Sequence, residues 1–166
     1  MHELLQFRVF SDFYSAPAIC VSMEKRGYRY LEHMSDAYIE CWGSSVEEAL
    51  EEAGRGMFNL ISSMEASSPR LRVRATVRGF DMQSLLYNWL ERLIQIFEIR
   101  EFLPSRISVR DFDEDKSGLK VRAELSGERF SLDRHPAGVG VKSVTYHAMQ
   151  IRRKKGRVMF RFLLDI

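Results

Sequence analysis

Apolar residues recur along this chain with two different periods, which together predict both strands and helices. Over Ala37–Trp42 the residues at 37, 39 and 41 alternate with those at 38, 40 and 42, a period of two that is typical of a β-strand. Apolar residues at 71, 73, 75 and 77 alternate mainly with arginines, which predicts a strand with one buried and one basic face. Tyr28–Glu32 predicts a further short strand.

Two longer segments have the 3.6-residue period of amphipathic helices. The first begins at Ser45, whose hydroxyl can accept a hydrogen bond from the backbone N–H of Glu48 while the Glu48 carboxylate reaches back, as in a capping box. The second follows Asp81, a favoured N-cap residue, and Pro104 prevents this helix from continuing. The two apolar stripes are Val46, Ala49, Leu50, Ala53, Met57, Leu60, Ile61 and Met64, and Met82, Leu85, Leu86, Trp89, Leu90, Leu93, Ile94 and Phe97.

The remainder of the chain has strand patterns separated by turn residues. These strands are predicted at Arg106–Phe112, Leu119–Leu125, Arg129–Leu132 after a turn at Gly127, Val141–Arg152 and Arg157–Ile166. Two helices and six to eight strands, joined by several hairpins, predict an α+β fold. We expect two layers, with two helices packed on a mostly antiparallel mixed sheet.

The length of 166 residues fits one domain, and an apolar fraction of 45% is enough for a core. Residues 1–25 have no clear period and are interpreted as an N-terminal extension, which leaves residues 26–166 as the domain. No apolar run reaches the length that crosses a bilayer, and no charged leader precedes the short apolar stretch near the start. We therefore expect a cytoplasmic protein without a membrane partner, with Cys20 and Cys41 as free thiols.

The sequence contains no motif that would indicate a free-standing enzyme. It lacks a Gly-rich phosphate loop, a His-Glu-x-x-His pair and a Gly-x-Ser-x-Gly elbow. The four histidines are far apart in the sequence, and a lone histidine is more often structural than a ligand. Asp113–Asp115 resembles half of a calcium loop but lacks the glycine and distal glutamate of an EF-hand, so a solvated turn is the better interpretation.

Two aspartates occupy unusual positions. Asp36 lies between two strand patterns, where it could either bond local backbone N–H groups or point oxygen ligands at a cation. Asp165 is the penultimate residue of a strong strand pattern, in which Asp is disfavoured, and the α-carboxylate of Ile166 follows it. Adjacent carboxylates repel each other unless a cation or a basic side chain neutralises them. Arg161 lies on the same face and could do so, which leaves a salt-bridged terminus and a metal site as alternatives.

Basic residues cluster in Arg70–Arg78 and Arg152–Arg161, which raises a second hypothesis. Proteins that bind single-stranded nucleic acid combine positive charge with aromatic side chains, and Tyr146, Phe160 and Phe162 are nearby. The two phenylalanines fall on the apolar face of the last strand, however, which is more typical of a core. An RNA-binding module acting through the basic strand and hairpin is therefore the alternative function.

Several blocks in the same order resemble the archease family over about Gly27 to Ile166. The first block is Glu32-His33-Met34-Ser35-Asp36, followed by Trp42-Gly43 and Val46–Leu50. The later blocks are Asp81–Leu86, His135-Pro136-x-Gly138, Val141–His147, in which Ser143 is not part of the match, and Leu164-Asp165-Ile166. Met34 and Ser35 stand where this family usually has Thr and Ala. No single block would be specific, but their combination is.

The resemblance implies an accessory role rather than catalysis. Archeases assist the RtcB-type, GTP-dependent RNA ligase that joins tRNA exons, by promoting guanylylation of the ligase and its multiple turnover. The family binds a divalent cation, calcium in crystals, through residues that correspond here to Asp36, Asp165 and the carboxylate of Ile166. Mg²⁺ and Mn²⁺ suit the same hard oxygen ligands. We expect Lys142, Tyr146, His147 and His33 to contact the ligase. We expect the protein to interact with tRNA only indirectly, through the ligase.

Overall fold

The computed structural model describes residues 25–166, so the expected extension lies, apart from its last residue, outside the described part. Over these residues, seven strands and two α-helices follow one another along the chain. They are β1 (Gly27–Leu31), β2 (Ala37–Gly43), α1 (Val46–Ile61), β3 (Leu71–Gly79), α2 (Met82–Arg100), β4 (Phe102–Asp115), β5 (Gly118–Arg129), β6 (Ser143–Lys154) and β7 (Arg157–Asp165), with a 3₁₀ turn at Met64–Ala66 after α1.

The strands form two sheets. Sheet 1 has the order β1-β2-β7-β6 and sheet 2 has the order β3-β5-β4, and every pair of neighbours is antiparallel. The predicted α+β class is confirmed, but two wholly antiparallel sheets replace the single mixed sheet that we expected. The reason is that β3, α2, β4 and β5 form one contiguous unit inserted between α1 and β6, so the strands from the two ends of the domain pair with each other.

Both helices contact both sheets. Helix α1 contacts β2 and β4, while α2 contacts β3 and β6. The indole Nε1 of Trp89 donates a hydrogen bond to the carbonyl of Leu50 over 2.9 Å, which joins the two helices in the core. Gly54 permits close packing, because a Cβ there would lie 2.7 Å from the side chain of Ile107 and 2.9 Å from that of Leu93. In the described part, neither helix combines the length and hydrophobicity needed to cross a membrane.

The helix starts agree with the sequence pattern. The Ser45 hydroxyl accepts the backbone N–H of Glu48 at 3.3 Å, although the Glu48 carboxylate reaches back to Ser44 rather than to Ser45. Asp81 forms a reciprocal capping box with Ser84. Helix α2 ends at Arg100, before Pro104 is reached, and Pro104 lies inside β4. Because β4 is an edge strand of sheet 2, it tolerates a residue that has no N–H to donate.

Gly127 does not form the predicted turn, and the separate strand predicted at Arg129–Leu132 is wrong. Strand β5 continues through Gly127, which pairs with Leu71 on one side and Pro104 on the other. A Cβ at this position would lie 2.2 Å from the carbonyl oxygen of Leu103. The glycine therefore permits a close approach of β4 to β5, a requirement that looks the same as a turn in the sequence.

Cys41 is a free and fully buried thiol, as expected, while Cys20 lies outside the described residues. The Cys41 Sγ is 3.4 Å from the carbonyl oxygen of Ala49. Burial raises the pKa of the Cys41 thiol above its ordinary value, so this thiol stays protonated and is shielded from reagents in the folded protein.

Candidate carboxylate site at the end of the last strand

The two unusual aspartates come to the same end of sheet 1. Strands β2 and β7 are antiparallel, and Ala37, the first residue of β2, pairs with Leu164. One residue beyond this pair, Asp36 precedes β2 and Asp165 ends β7. On its other side Asp165 pairs with Ser143, the first residue of β6. The antiparallel pairing therefore brings together two acidic residues that are separated by most of the sequence, and we call this end of sheet 1 the carboxylate corner.

His33 and Tyr38 surround Asp36 in the β1–β2 connection. The His33 Nδ1 lies 3.5 Å from an Asp36 carboxylate oxygen, and both side chains are about one-third exposed. The His33 ring meets the Tyr38 ring edge to face, with centroids 6.1 Å apart. The Tyr38 hydroxyl donates a hydrogen bond to the carbonyl of Ala148 over 3.2 Å. Tyr38 thus links the Asp36 loop to β6. The sequence offered one signal for this role, because Tyr38 lies on the polar side of the alternating β2 pattern.

Lys142 fixes the end of the chain. Its backbone N–H donates to the carbonyl of Asp165 over 2.8 Å, and its ammonium group donates to the main-chain oxygen of Ile166 over 3.0 Å. The Ile166 side chain is partly buried against the core. The last residues are therefore held against the sheet, and a cationic side chain lies beside the terminal oxygens.

Arg161 does not neutralise Asp165, contrary to one of the two alternatives. It pairs instead with Glu40, which faces it across β2 and β7 and also binds Arg29 at 2.6 Å. Burial by itself would raise the pKa of Glu40, but the hydrogen bond and charge of Arg161, followed by those of Arg29, lower this pKa below its ordinary value. No described residue forms an ion pair with the Asp165 side chain, which is exposed.

Tyr146 and His147 lie in an irregular segment of β6. The β6–β7 register shifts between Thr145 and Gln150, and Ala148 adopts a left-handed conformation with φ of 55°. The ring of Tyr146 stacks on that of Tyr87 from α2, with centroids 4.4 Å apart and planes within 3°. Partial burial, and then the neighbouring Tyr87 and Asp81, raise the pKa of Tyr146. The bulge therefore presents a half-exposed aromatic pair and, beside it, an exposed histidine.

The loop that precedes Lys142 is held by a buried polar group that sequence reasoning missed. The Glu128 carboxylate accepts the backbone N–H of Ser68 at 3.0 Å, binds Arg134 at 2.7 Å and lies 3.2 Å from Nε2 of the buried His135. These donors, the Ser68 N–H first, lower the pKa of Glu128 to about 2. In the sequence, Glu128 and His135 are separated by seven residues. This spacing indicates an interaction only when the burial of both side chains is known.

The carboxylate corner has some of the ligands that a metal site requires. Over residues 25–166, no three or more His, Cys, Asp and Glu side chains converge in an arrangement that could hold a metal ion. The corner instead offers Asp36, Asp165 and the oxygens of Ile166. These are all hard oxygen donors, which fit Ca²⁺, Mg²⁺ or Mn²⁺ in kind. Because Ca²⁺ takes about six to eight oxygens, water or a partner would have to supply the others.

Comparison with known proteins agrees with this architecture. The solution structure of Methanobacterium thermoautotrophicum protein 1598 superposes with a TM-score of 0.72 at 27% identity, covering 84% of this chain and 99% of that one. A crystal structure from Thermotoga maritima, described as an archease and possible chaperone, has a TM-score of 0.50 at 18% identity over 83% of this chain and 96% of that one. The α+β fold is thus shared with these two solved structures.

The sequence comparisons define the family. The model of the Archease protein family matches residues 28–166. Protein archease of Danio rerio is 37% identical over 84% of this chain and 85% of its own length, and protein archease of Methanopyrus kandleri is 35% identical over 82% and 96%. The chain belongs to the archease family, and the resemblance inferred from the sequence blocks is confirmed.

Proposed function

We propose that this protein is an accessory factor of a GTP-dependent, RtcB-type RNA ligase in tRNA splicing. In this role it promotes guanylylation of the ligase and its multiple turnover in the cytoplasm, and it does not itself catalyse the joining reaction. The proposal is supported by membership of the archease family over residues 28–166. The observation that carries it further is the carboxylate corner, where Asp36 precedes β2, Asp165 ends the neighbouring β7, and no arginine among residues 25–166 forms an ion pair with Asp165.

A divalent cation is part of the proposal. Asp36, Asp165 and the carboxylate that follows Ile166 would hold it, and the ion would supply the positive charge that adjacent carboxylates need. An incomplete set of ligands is consistent with a shared site, because oxygens of the ligase or of its nucleotide can occupy the remaining positions. Ca²⁺, Mg²⁺ and Mn²⁺ all fit these donors.

The residues around the corner suit a docking surface. Lys142 orders the last residues, so the carboxylates are presented by a fixed strand end. His33 borders Asp36, while Tyr146 and His147 project from the bulge of β6, which Tyr38 ties to the same loop. Aromatic side chains that are rigid before binding lose little conformational entropy when a partner covers them.

The test is a guanylylation and multiple-turnover assay with the ligase of the same organism. Asp36→Asn and Asp165→Asn each remove one negative oxygen at a partly or fully exposed position, so the fold should persist while most of the stimulation is lost. Asp133→Asn, at an exposed position away from the corner, is the matched control and should stimulate normally. Full stimulation by both corner variants would refute the proposed role of the corner.

The terminal carboxylate requires its own experiment. Three residues added after Ile166 should weaken Ca²⁺ binding measured by calorimetry, because the added peptide bond replaces a charged carboxylate with a neutral amide. The same three residues added at the N-terminus serve as the control. Equal Ca²⁺ affinity of the two extended proteins would remove Ile166 from the ligand set.

A further inference from the structure

The outward face of sheet 2 is strongly basic. Along β3 and β5, buried apolar residues alternate with residues that face outward, and the strand pairing aligns the outward positions of all three strands. Four carboxylates, Asp111, Asp113, Asp115 and Glu124, share this face with seven cationic side chains. The cations are Arg72, Arg74 and Arg78 of β3, Lys120 and Arg122 of β5, and Arg106 and Arg110 of β4. This face alone therefore has a net charge of +3, compared with +2 for the whole chain.

The carboxylates neutralise only part of this charge. Glu124 lies between Arg72 and Arg110, at 3.8 and 3.6 Å, and Arg122 pairs with both Asp111 and Asp113, at 3.0 and 3.2 Å. The charge of Arg78 acts on Asp115 at the end of β4.

Three cations on the face remain without an acidic partner. Arg74, Arg106 and Lys120 make no ion pair with any residue between 25 and 166. One unpaired cation comes from each of the three strands, so positive charge extends across the whole sheet. Such a surface attracts a polyanion.

The composition of this face favours nucleic acid over an acidic protein. Within the three strands, its outward positions hold charged residues, the hydroxyl residues Thr76, Ser108 and Ser126, and Gly118, and the one exposed aromatic beside them, Phe80, lies just beyond the end of β3. Protein interfaces are centred on buried apolar or aromatic anchors, whereas protein–nucleic acid interfaces are polar and positively charged. Along a strand, alternate cations recur about every 7 Å, which places them in rows that can follow a phosphate backbone.

We infer that the outward face of sheet 2 binds the phosphate backbone of helical RNA. Because no aromatic side chain lies on the strands themselves, the face lacks a row of rings on which successive unpaired bases can stack, so it contacts phosphates and reads no sequence. The carboxylate corner belongs to sheet 1, so this is a separate surface. The choice of RNA over DNA rests on the proposed function, in which the ligase acts on RNA.

The test measures RNA binding by the protein alone. A 16-base-pair RNA duplex, the DNA duplex of the same sequence and oligouridine of equal length are titrated by fluorescence anisotropy at several salt concentrations. The variant combines Arg74→Gln, Arg106→Gln and Lys120→Gln, which removes unpaired charges and breaks no ion pair. The matched control combines Lys25→Gln, Arg100→Gln and Lys155→Gln, which removes three exposed charges elsewhere.

We expect the wild type and the control to bind the RNA duplex alike, and at least as tightly as oligouridine. The sheet variant should bind about 10- to 100-fold more weakly, with a salt dependence reduced by about three counterions. Equal losses in the two triple variants, tighter binding of oligouridine or of DNA, or no binding in about 50 mM salt would overturn the inference. Displacement of the duplex by poly-L-glutamate at equal charge would do the same, because it would indicate an acidic protein partner.

This inference and the proposed function can fail independently. Guanylylation of the ligase without RNA should be stimulated normally by the sheet variant. Conversely, Asp36→Asn and Asp165→Asn should bind the RNA duplex with unchanged affinity. A sheet variant that loses RNA-free stimulation would show that the face contacts the ligase, and would refute RNA binding as its role.

Discussion

Lys142 donates its backbone N–H to the carbonyl oxygen of Asp165 over 2.8 Å, just before β6 begins. This bond extends the β6–β7 pairing by one position and keeps the last residues aligned with the sheet. Since the ammonium of the same lysine reaches the main-chain oxygen of Ile166, one residue both orders the terminus and places a positive charge there. That charge competes with any cation bound at the carboxylate corner.

Replacing this charge should therefore strengthen cation binding. Lys142→Met keeps the backbone hydrogen bond and removes the ammonium, and a unit charge and a divalent ion about 4 Å apart in water repel by about 2 kcal/mol. We expect the affinity for Ca²⁺, measured by calorimetry, to rise by up to about 30-fold. Lys116→Met, at an exposed turn between β4 and β5 of sheet 2, is the control and should leave the affinity unchanged. A weaker affinity in Lys142→Met would mean that the lysine orders the ligands more than it repels the ion.

Two glycines of the loop before β6 provide a matched pair. A Cβ on Gly138 would lie 2.0 Å from the carbonyl oxygen of Leu60, whereas a Cβ on Gly140 would meet nothing within 4 Å. Gly138→Ala should lower the free energy of unfolding by about 2 kcal/mol or more, because the loop must leave the end of α1. Gly140→Ala should change it by less than about 0.5 kcal/mol. Urea denaturation checks both values, and equal stabilities would contradict the tight contact.

The Glu40–Arg161 pair should stabilise the fold more than an exposed pair does. Glu40→Gln leaves Arg161 and Arg29 beside a neutral group at a buried position, and we expect a loss of about 1–3 kcal/mol in the free energy of unfolding. Glu114→Gln breaks the exposed pair with Arg153 and should cost less than about 0.5 kcal/mol. If urea denaturation gives the two variants equal stability, the burial of Glu40 does not increase the stabilisation that its ion pairs provide.

The pKa of Glu128 gives stability a pH dependence. This pKa is about 2 in the folded protein, below the ordinary value of 4.5, so the ionised carboxylate stabilises the fold above about pH 4.5. The stabilisation is lost as the pH falls from 4.5 towards 2. Glu128→Gln cannot ionise, so its deficit in the free energy of unfolding should be largest above pH 5 and should shrink as the solution is acidified.

Urea titrations between pH 6 and pH 3 measure this deficit. The exposed Glu65→Gln is the control and should follow the wild type throughout. A deficit for Glu128→Gln that stays constant with pH would show that the Ser68, Arg134 and His135 contacts do not depend on the charge of the carboxylate.

Local features were readable from the sequence because they depend on neighbours in the chain. Ser45 and Asp81 cap their helices as predicted, since a cap needs only a side-chain oxygen and the backbone N–H groups of the next turn. Gly127 was misread because a close approach of two strands and a turn both require the same residue. The partner of Arg161 was equally undetermined, since Asp165 and Glu40 both lie on its face of the sheet.

The sequence by itself determined the α+β class, the two helices with their starts, the alternating strands and the family. Only the tertiary structure decided that the strands divide into two antiparallel sheets, that Asp36 and Asp165 meet at one strand end, and that the arginines of β3 join those of β4 in one basic face. The physical reason is that periodicity reports which face of an element is buried, whereas strand pairing depends on contacts between distant segments that no local pattern encodes.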